Sequence, residues 1–277
     1  MNKVTYTIRS SRQLAGDIFE VILEGDTSAI TMPGQFVNLD LPGFFLRRPI
    51  SICDWDESTV KLLVKIAGKG TDMLVHLKSG VELDTLSGLG NGFDFTLAGE
   101  HPILVGGGIG IAPIYGLARR MKAAGITPLV ALGFRSAKDA FYLEEFKALG
   151  CELLVATEDG SMGMKGFVTD LVKSRPERDY ILTCGPLPML KALHALPQLT
   201  DGQFSFEARM GCGFGACVGC TIPTKDGYKR VCRTAPSFIR RRSYGKPECE
   251  FGGCGAEKPH HPRLRHLRLW PGVCRAL

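Results

Sequence analysis

Residues 103–113 read Ile-Leu-Val-Gly-Gly-Gly-Ile-Gly-Ile-Ala-Pro and decide the fold of the middle of this chain. Three apolar residues predict a buried strand, and the apolar sequence after Gly110 predicts a helix. Glycines between them let backbone N–H groups approach a phosphate at the helix N-terminus, where Pro113 is tolerated. Because Pro113 replaces the third glycine of the dinucleotide fingerprint, a tight turn without a ligand is the alternative.

The sequence on both sides of this loop alternates between strand and helix. Further strand-like runs lie at 128–132, 152–156 and 180–183, and helical stretches at 114–124, 140–149, 166–173 and 188–195. This rhythm predicts an open α/β sheet with right-handed crossovers over residues 99–200. Cys184 follows the last of these strands, at the sheet edge where ligands bind, although a lone cysteine there is also typical of packing.

Residues 1–98 are rich in short strands separated by turns. Strand-like runs lie at 4–8, 18–23, 35–39 and 60–65, and one helix is expected at 71–77. This pattern predicts a closed barrel or a sandwich. Arg48-Pro-Ile-Ser51 offers a phosphate clamp and a hydroxyl for a flavin ring nitrogen, and Lys65-Ile-Ala-Gly-Lys-Gly-Thr71 adds a glycine-rich approach. A surface arginine beside a strand is the simpler interpretation of the first motif.

Four cysteines crowd into the segment 201–233. Their spacing is Cys212-x4-Cys217-x2-Cys220-x11-Cys232, which matches the plant-type [2Fe–2S] pattern. Small residues around them let the loop wrap a cluster and direct N–H groups at its sulfurs. A zinc ion held by the same thiolates is the alternative, although structural zinc sites usually use paired short knuckles.

Composition describes an ordinary globular chain of 277 residues with 44% hydrophobic residues. The net charge of +6 lies in the tail: from Arg233 onward the balance is +7, and the preceding 232 residues sum to −1. The body therefore gives no electrostatic reason to expect nucleic acid. An odd number of body cysteines without a signal peptide argues against a disulfide scaffold. Without an apolar run of ~18 residues, the sequence predicts a cytoplasmic protein that does not span a membrane.

Together these motifs resemble the ferredoxin–NADP reductase superfamily and, within it, the electron-transfer subunits of dihydroorotate dehydrogenase B. The resemblance to that second family depends on the stretch Glu207-Ala-Arg-Met-Gly-Cys-Gly-Phe-Gly-Ala-Cys217. It covers residues 3–233 of this chain. Further similar stretches are Leu46-Arg-Arg-Pro-Ile-Ser51, Gly90-Asn-Gly-Phe93 and Thr157-Glu-Asp-Gly-Ser161. The resemblance implies an FAD-binding β-barrel (1–98), a Rossmann-like NAD-binding domain (99–200) and a small [2Fe–2S] module (201–233).

The resemblance also implies the residue roles and the partner. The FAD residues would be Arg48, Pro49, Ile50, Ser51, Val64, Lys65, Gly70 and Thr71. The NAD+ residues would be Gly107, Gly108, Gly110 and Pro113, with Cys184 as the catalytic residue beside the nicotinamide ring. The cluster ligands would be Cys212, Cys217, Cys220 and Cys232. Electrons from a dihydroorotate-oxidising FMN subunit would pass through [2Fe–2S] and FAD to NAD+ in pyrimidine biosynthesis, in a heterotetramer with two copies of each subunit.

The tail from residue 234 departs from the family. We back-translated the tail and inserted one nucleotide after the Arg233 codon. With suitable codons, the new frame reads Arg-Asp-Gly-Pro-Val-Phe, the usual ending of the family, and reaches a stop codon after nine further residues. The other shifted frame gives a sequence that resembles the start of the catalytic subunit. We therefore expect residues 234–277 to be a disordered, frameshift-derived tail whose Cys249, Cys254, Cys274, His260, His261 and His266 are not metal ligands.

Two other functions fit the same motifs. A ferredoxin/NAD(P)H oxidoreductase or a sulfhydrogenase-type diaphorase subunit would use the same cofactors with another partner. A zinc-containing nucleotide-binding module without redox activity is the alternative of another class. Arg135 would suit the 2′-phosphate of NADP, but the family resemblance favours NAD+.

Overall fold

Six antiparallel strands close into a barrel in the order β1-β2-β5-β4-β3-β6. They are β1 (Asn2–Ala15), β2 (Ile18–Glu24), β3 (Phe36–Leu39), β4 (Arg48–Trp55), β5 (Thr59–Lys65) and β6 (Glu82–Leu89). The computed structural model describes residues 1–99, 101–224, 227–234 and 238–239. Closure leaves the barrel without exposed strand edges. One helix, α1 (Lys69–His76), follows β5 and packs against the barrel core through Leu74 and Val75.

A second sheet begins at Pro102 with the strand that leads into the glycine-rich loop. Its parallel strands are β7 (Pro102–Gly107), β8 (Leu129–Phe134), β9 (Glu152–Thr157), β10 (Met164–Lys165), β11 (Tyr180–Cys184) and β12 (Asp201–Ser205). Its helices are α2 (Ile111–Ala123), α3 (Leu143–Ala148), α4 (Val168–Lys173) and α5 (Leu187–His194). The central strands β7, β8 and β11 are apolar and buried, as parallel strands covered on both faces must be.

The cysteine segment ends in a small hairpin and a short helix. These are β13 (Thr221–Thr224), β14 (Gly227–Arg230) and α6 (Val231–Thr234), followed by β15 (Phe238–Ile239). The order of the large sheet is β10-β9-β8-β7-β11-β12-β15, in which β15 alone runs antiparallel. None of the described helices combines the length and the apolarity that crossing a bilayer requires.

The barrel and the large sheet share one apolar core. Ile18, Cys53 and Leu63 of the barrel pack with residues of α2. Gly116 allows this close approach, because a Cβ there would lie 2.3 Å from the carbonyl oxygen of Cys53. An ion pair between Arg119 and the buried carboxylate of Asp54 crosses the same seam. The barrel and the large sheet are therefore fixed relative to one another.

The structure confirms the predicted fold class and extends it in three places. β4 and β6 were not predicted as strands, and β12 falls beyond the expected domain boundary at residue 200, although it pairs with β11. Two residues of the predicted tail, Phe238 and Ile239, pair with Phe204 and Gln203. An edge strand with unpaired backbone groups accepts such a segment readily. The tail cysteines and histidines lie outside the described residues.

Candidate functional site

Arg48 and the first turn of α1 meet at one end of the barrel. A Cβ on Gly70 would lie 2.3 Å from Nε of Arg48, so only glycine leaves room for the guanidinium across the helix start. The guanidinium also stacks on the Phe44 ring, with 4.5 Å between Cζ and the ring centroid. The hydroxyl of Thr71 accepts hydrogen bonds from the backbone N–H groups of Ala67 and Gly68, at 2.8 and 3.2 Å. A cation beside a helix N-terminus fits a pyrophosphate.

The other predicted flavin residues lie on β4 and β5. Ser51 is exposed on the outer face of the barrel, opposite Phe36 of β3, and Pro49 lies opposite Asn38. Ile50 packs against the barrel core. Val64 is buried inside the barrel, so only its backbone can contact a ligand. Lys65 is exposed and makes a 3.7 Å ion pair with Asp17.

The glycine-rich loop lies where parallel strands β7 and β11 end side by side. A Cβ on Gly107 would meet Sδ of Met189 at 2.5 Å, and one on Gly110 would meet the Cys184 carbonyl oxygen at 2.5 Å. Gly108 has a φ of +53° and faces open space. Pro113 is buried in the first turn of α2. The backbone can thus reach a nucleotide at the carboxyl edge of the sheet, which fits a dinucleotide.

Cys184 is almost fully buried at the end of β11, next to this loop. Burial, followed by the negative charge of Glu207, raises the pKa of its thiol to about 12. A thiol with this pKa stays protonated at neutral pH and is not a nucleophile. Any contribution of Cys184 to hydride transfer is therefore made by a neutral, close-packed side chain.

The four cysteines of the C-terminal segment form two pairs. Sγ of Cys220 and Sγ of Cys232 are 3.2 Å apart, and the backbone N–H of Cys217 donates to Sγ of Cys212 at 3.4 Å. Within the described residues, no three His, Cys, Asp or Glu side chains converge closely enough to hold a single metal ion. Two pairs of thiols fit a cluster with two irons better than one tetrahedral zinc ion.

Backbone donors distinguish Cys212 from Cys232. Desolvation opposes ionisation of Cys212, but N–H groups of the loop residues Cys217, Phe214 and Gly215 outweigh it and lower the pKa of the Cys212 thiol to about 6. Burial and the adjacent sulfur of Cys220 raise the pKa of the Cys232 thiol to about 12. A cation beside its sulfur would therefore favour ionisation of Cys232, as a thiolate that binds iron requires.

The cysteine loop packs directly on the barrel wall. Cys220 and Cys232 form one apolar cluster with Phe36 of β3 and Leu89 of β6. Nδ2 of Asn38 donates to the carbonyl oxygen of Cys212 at 3.0 Å. Because β3 pairs with Arg48–Ser51 of β4, the cysteine pairs lie beside the strand that carries the predicted flavin residues.

Known proteins that are similar in sequence or structure agree with this arrangement of nucleotide loop and cysteine segment. Residues 207–241 match the iron–sulfur cluster binding domain of dihydroorotate dehydrogenase B, and residues 104–195 match the oxidoreductase NAD-binding domain. Electron transfer subunits of NAD+-dependent dihydroorotate dehydrogenase B from Lysinibacillus sphaericus and Fusobacterium nucleatum are 42% and 41% identical to the chain. The alignments cover 83% and 84% of this chain, and 93% and 95% of those proteins.

The chain belongs to the family of dihydroorotate dehydrogenase B electron transfer subunits. The match to the cluster binding domain runs past Arg233, where the sequence resemblance was expected to end. A solved NADH-dependent reduced ferredoxin–NADP oxidoreductase, studied for flavin-based electron bifurcation, has a TM-score of 0.75 and 31% identity. It covers 84% of this chain, and the chain covers 87% of it.

Membership in this family confirms the predicted cofactor set, which is FAD, a [2Fe–2S] cluster and NAD+. The residue assignments remain predictions. Sequence reasoning missed Asn38, because a polar residue in a short strand gives no sign of a partner 174 residues away. It also missed the seam residues Asp54 and Arg119, whose only sequence signal is an acidic residue between the apolar Cys53 and Trp55.

Proposed function

We propose that this chain is the electron transfer subunit of an NAD+-linked dihydroorotate dehydrogenase that serves pyrimidine biosynthesis. It would carry electrons from an FMN-containing catalytic subunit through [2Fe–2S] and FAD to NAD+. Two copies of each subunit would form a heterotetramer in the cytoplasm, an assignment that rests on the family resemblance alone. When bound, the cluster supplies one-electron transfer and the flavin exchanges single electrons for a hydride pair.

The observation that carries this proposal is the packing of two cysteine pairs on the strand next to the flavin strand. Phe36 contacts the buried pair Cys220 and Cys232 on one side and lies opposite Ser51 on the other. One strand of the barrel therefore separates the proposed cluster ligands from the proposed flavin residues. A chain that only bound a nucleotide would have no need of this proximity.

The proposed residue roles follow from local geometry. Arg48 would hold the FAD pyrophosphate, since the glycine at position 70 leaves its guanidinium across the N-terminus of α1. Ser51, Pro49, Ile50, Val64, Lys65 and Thr71 would complete the flavin site. Gly107, Gly108, Gly110 and Pro113 would hold NAD+, with the protonated thiol of Cys184 beside the nicotinamide. The chain's own task is to position these groups and exclude water, because it needs no acid–base pair.

The catalytic subunit would dock on the face around the cysteine loop. Three large apolar side chains are exposed there: Phe214 at 44%, Val218 at 76% and Tyr228 at 82%. Phe214 and Val218 lie in the cysteine loop itself, and Tyr228 lies on the following hairpin. Exposed apolar side chains in one region are typical of protein interfaces.

Co-purification with the product of the neighbouring gene tests this proposal. The anaerobic complex should show flavin and iron–sulfur absorption and reduce NAD+ when dihydroorotate is added. Replacing Val218 with Glu should release the catalytic subunit while leaving NADH-dependent dye reduction by this chain intact. A colourless chain that contains zinc, or a complex that does not oxidise dihydroorotate, would contradict the proposal.

A second function is favoured by the likeness to the NADH-dependent reduced ferredoxin–NADP oxidoreductase. In that case the partner would exchange electrons with ferredoxin rather than dihydroorotate. The two functions share cofactors, so the electron donor separates them. Reduction of NAD+ by reduced ferredoxin, and not by dihydroorotate, would select the second function.

A further inference from the structure

Asn38 lies on the outer face of β3. Residues at such positions are usually either apolar and buried or polar and exposed to solvent. Its neighbours Val37 and Leu39 face the barrel core, whereas Phe36, on the same side as Asn38, packs against the cysteine pair. Asn38 is only 1% exposed. Its side chain is therefore buried between the barrel wall and the cysteine loop.

The amide of Asn38 joins the cysteine loop to the flavin strand. Nδ2 donates to the carbonyl oxygen of Cys212 at 3.0 Å. The next residue, Gly213, has a φ of +77°, and a Cβ there would lie 2.4 Å from Nδ2. On the other side, the backbone of Asn38 lies opposite Pro49 in the β3–β4 pair. One residue thus connects a proposed cluster ligand, through its side chain, to a proposed flavin residue, through its backbone.

The other half of the amide has no protein partner among the described residues. Oδ1 of Asn38 is buried without a hydrogen bond. Turning the amide over would bring this oxygen against the Cys212 carbonyl, so the orientation with Nδ2 as donor is the favourable one. A buried oxygen that has given up its bonds to water without gaining a partner destabilises a fold. An apolar side chain of similar volume would remove this unsatisfied oxygen at the cost of the one hydrogen bond to Cys212, so stability alone does not account for asparagine.

We propose that Asn38 is a positioning residue, which holds the Cys212 carbonyl and thereby fixes the cluster relative to the flavin. This inference rests on the proposed function, because it takes Cys212 as a cluster ligand. Groups that orient metal ligands typically change metal affinity or activity by ~10–100-fold when they are removed. The effect should fall on transfer between flavin and cluster and leave reduction of the flavin by NADH unchanged.

Two variants, Asn38→Leu and Asn38→Val, remove the amide and keep an apolar side chain suited to a strand. Gln35→Leu is the matched control. It removes another buried amide, directly before β3, which accepts N–H bonds from Thr31 and Met32 and donates to the carbonyl oxygen of Gly90. The cluster reduction potential, anaerobic stopped-flow reduction by NADH, thermal unfolding and amide hydrogen exchange of residues 211–215 are measured for all three.

In the Asn38 variants, cluster reduction should slow by about tenfold, the cluster potential should shift and exchange at 211–215 should rise, while the melting temperature does not fall. The control should lose thermal stability and keep wild-type electron transfer. Loss of iron from both Asn38 variants but not from the control also supports the proposal. In that case, amide hydrogen exchange of residues 211–215 in the metal-free chain is compared in place of the electron-transfer rate. Unchanged transfer and exchange, or the same changes in the control, would overturn it. A wild-type chain without iron and flavin would instead overturn the proposed function.

Discussion

Substituting Gly70 with alanine should separate flavin affinity from stability. The new Cβ would lie 2.3 Å from Nε of Arg48 and 2.9 Å from Cζ, well inside van der Waals contact. The guanidinium is the flexible end of a long side chain, so it moves aside at little cost to the fold. The backbone is helical at this position, and alanine in a helix is more stable than glycine by ~1 kcal/mol. The metal- and flavin-free chain should therefore unfold at the same or a higher temperature.

Affinity for FAD should nevertheless fall. Charge-assisted hydrogen bonds contribute ~1.5–3 kcal/mol, and every 1.4 kcal/mol is about tenfold in a dissociation constant. Displacing Arg48 from its proposed position at the pyrophosphate should thus raise the dissociation constant of FAD by about 10–100-fold. Fluorescence titration of the apoprotein with FAD measures it, and riboflavin, which lacks the phosphates, should bind as it does to the wild type.

The matched control is Gly125→Ala. Gly125 has a φ of +80°, open space around it and a position after the end of α2, away from the flavin residues. This control should lose about 1 kcal/mol of stability through left-handed backbone strain and keep its FAD affinity. An unchanged dissociation constant for FAD in Gly70→Ala would refute the reasoning. An equal loss for riboflavin would refute it as well, because the effect would then not arise at the phosphates.

Four further predictions follow from the rest of the structure. Asp54→Asn removes the charge that pairs with the partly exposed Arg119, and it should lower the free energy of unfolding by about 1–3 kcal/mol in urea titration. An unchanged urea midpoint would contradict a stabilising Asp54–Arg119 ion pair. Desolvation opposes ionisation of Glu20, but hydrogen bonds from Arg12 and Tyr142 lower its pKa below 4.5. This stabilisation is present above pH 4.5 and is lost as the pH falls through the lower folded value, so Tyr142→Phe should flatten the acid limb of the stability–pH curve. Cys220→Ser should abolish iron binding and visible cluster absorption, whereas Cys151→Ser, at a half-buried cysteine outside the pairs, should retain both. Sequencing the gene should reveal that a single-nucleotide shift near codon 233 restores the family ending; two intact frames without such a shift would exclude the frameshift.

Much of the fold follows from local patterns in the sequence. The sequence 103–113 predicts the strand, glycine loop and helix of the nucleotide-binding fold. The strand is recognisable because buried parallel strands are continuously apolar. The sequence did not predict the strand β12, because its central residue, Gln203, is polar yet almost fully buried. Its amide bonds to the backbone of Asp94 and to the hydroxyl of Tyr180, partners that no local pattern reveals.

The candidate site was predictable where spacing along the chain carries the chemistry. The intervals between the four cysteines indicate an iron–sulfur site because three ligands must come from one loop. Sequence spacing does not show which sulfurs pair, nor that the loop packs on β3. The packing depends on contacts of Phe36 and Asn38 with residues more than 170 positions away, and such contacts arise only when the barrel has formed.

Anomalous diffraction at the iron edge, from crystals of the anaerobically purified chain, tests the central claim most directly. We expect two iron positions, one bound by Cys212 and Cys217 and the other by Cys220 and Cys232, on the outer face of β3 beside Phe36. A single metal position bound by all four sulfurs, with an absorption edge of zinc instead of iron, would contradict the account.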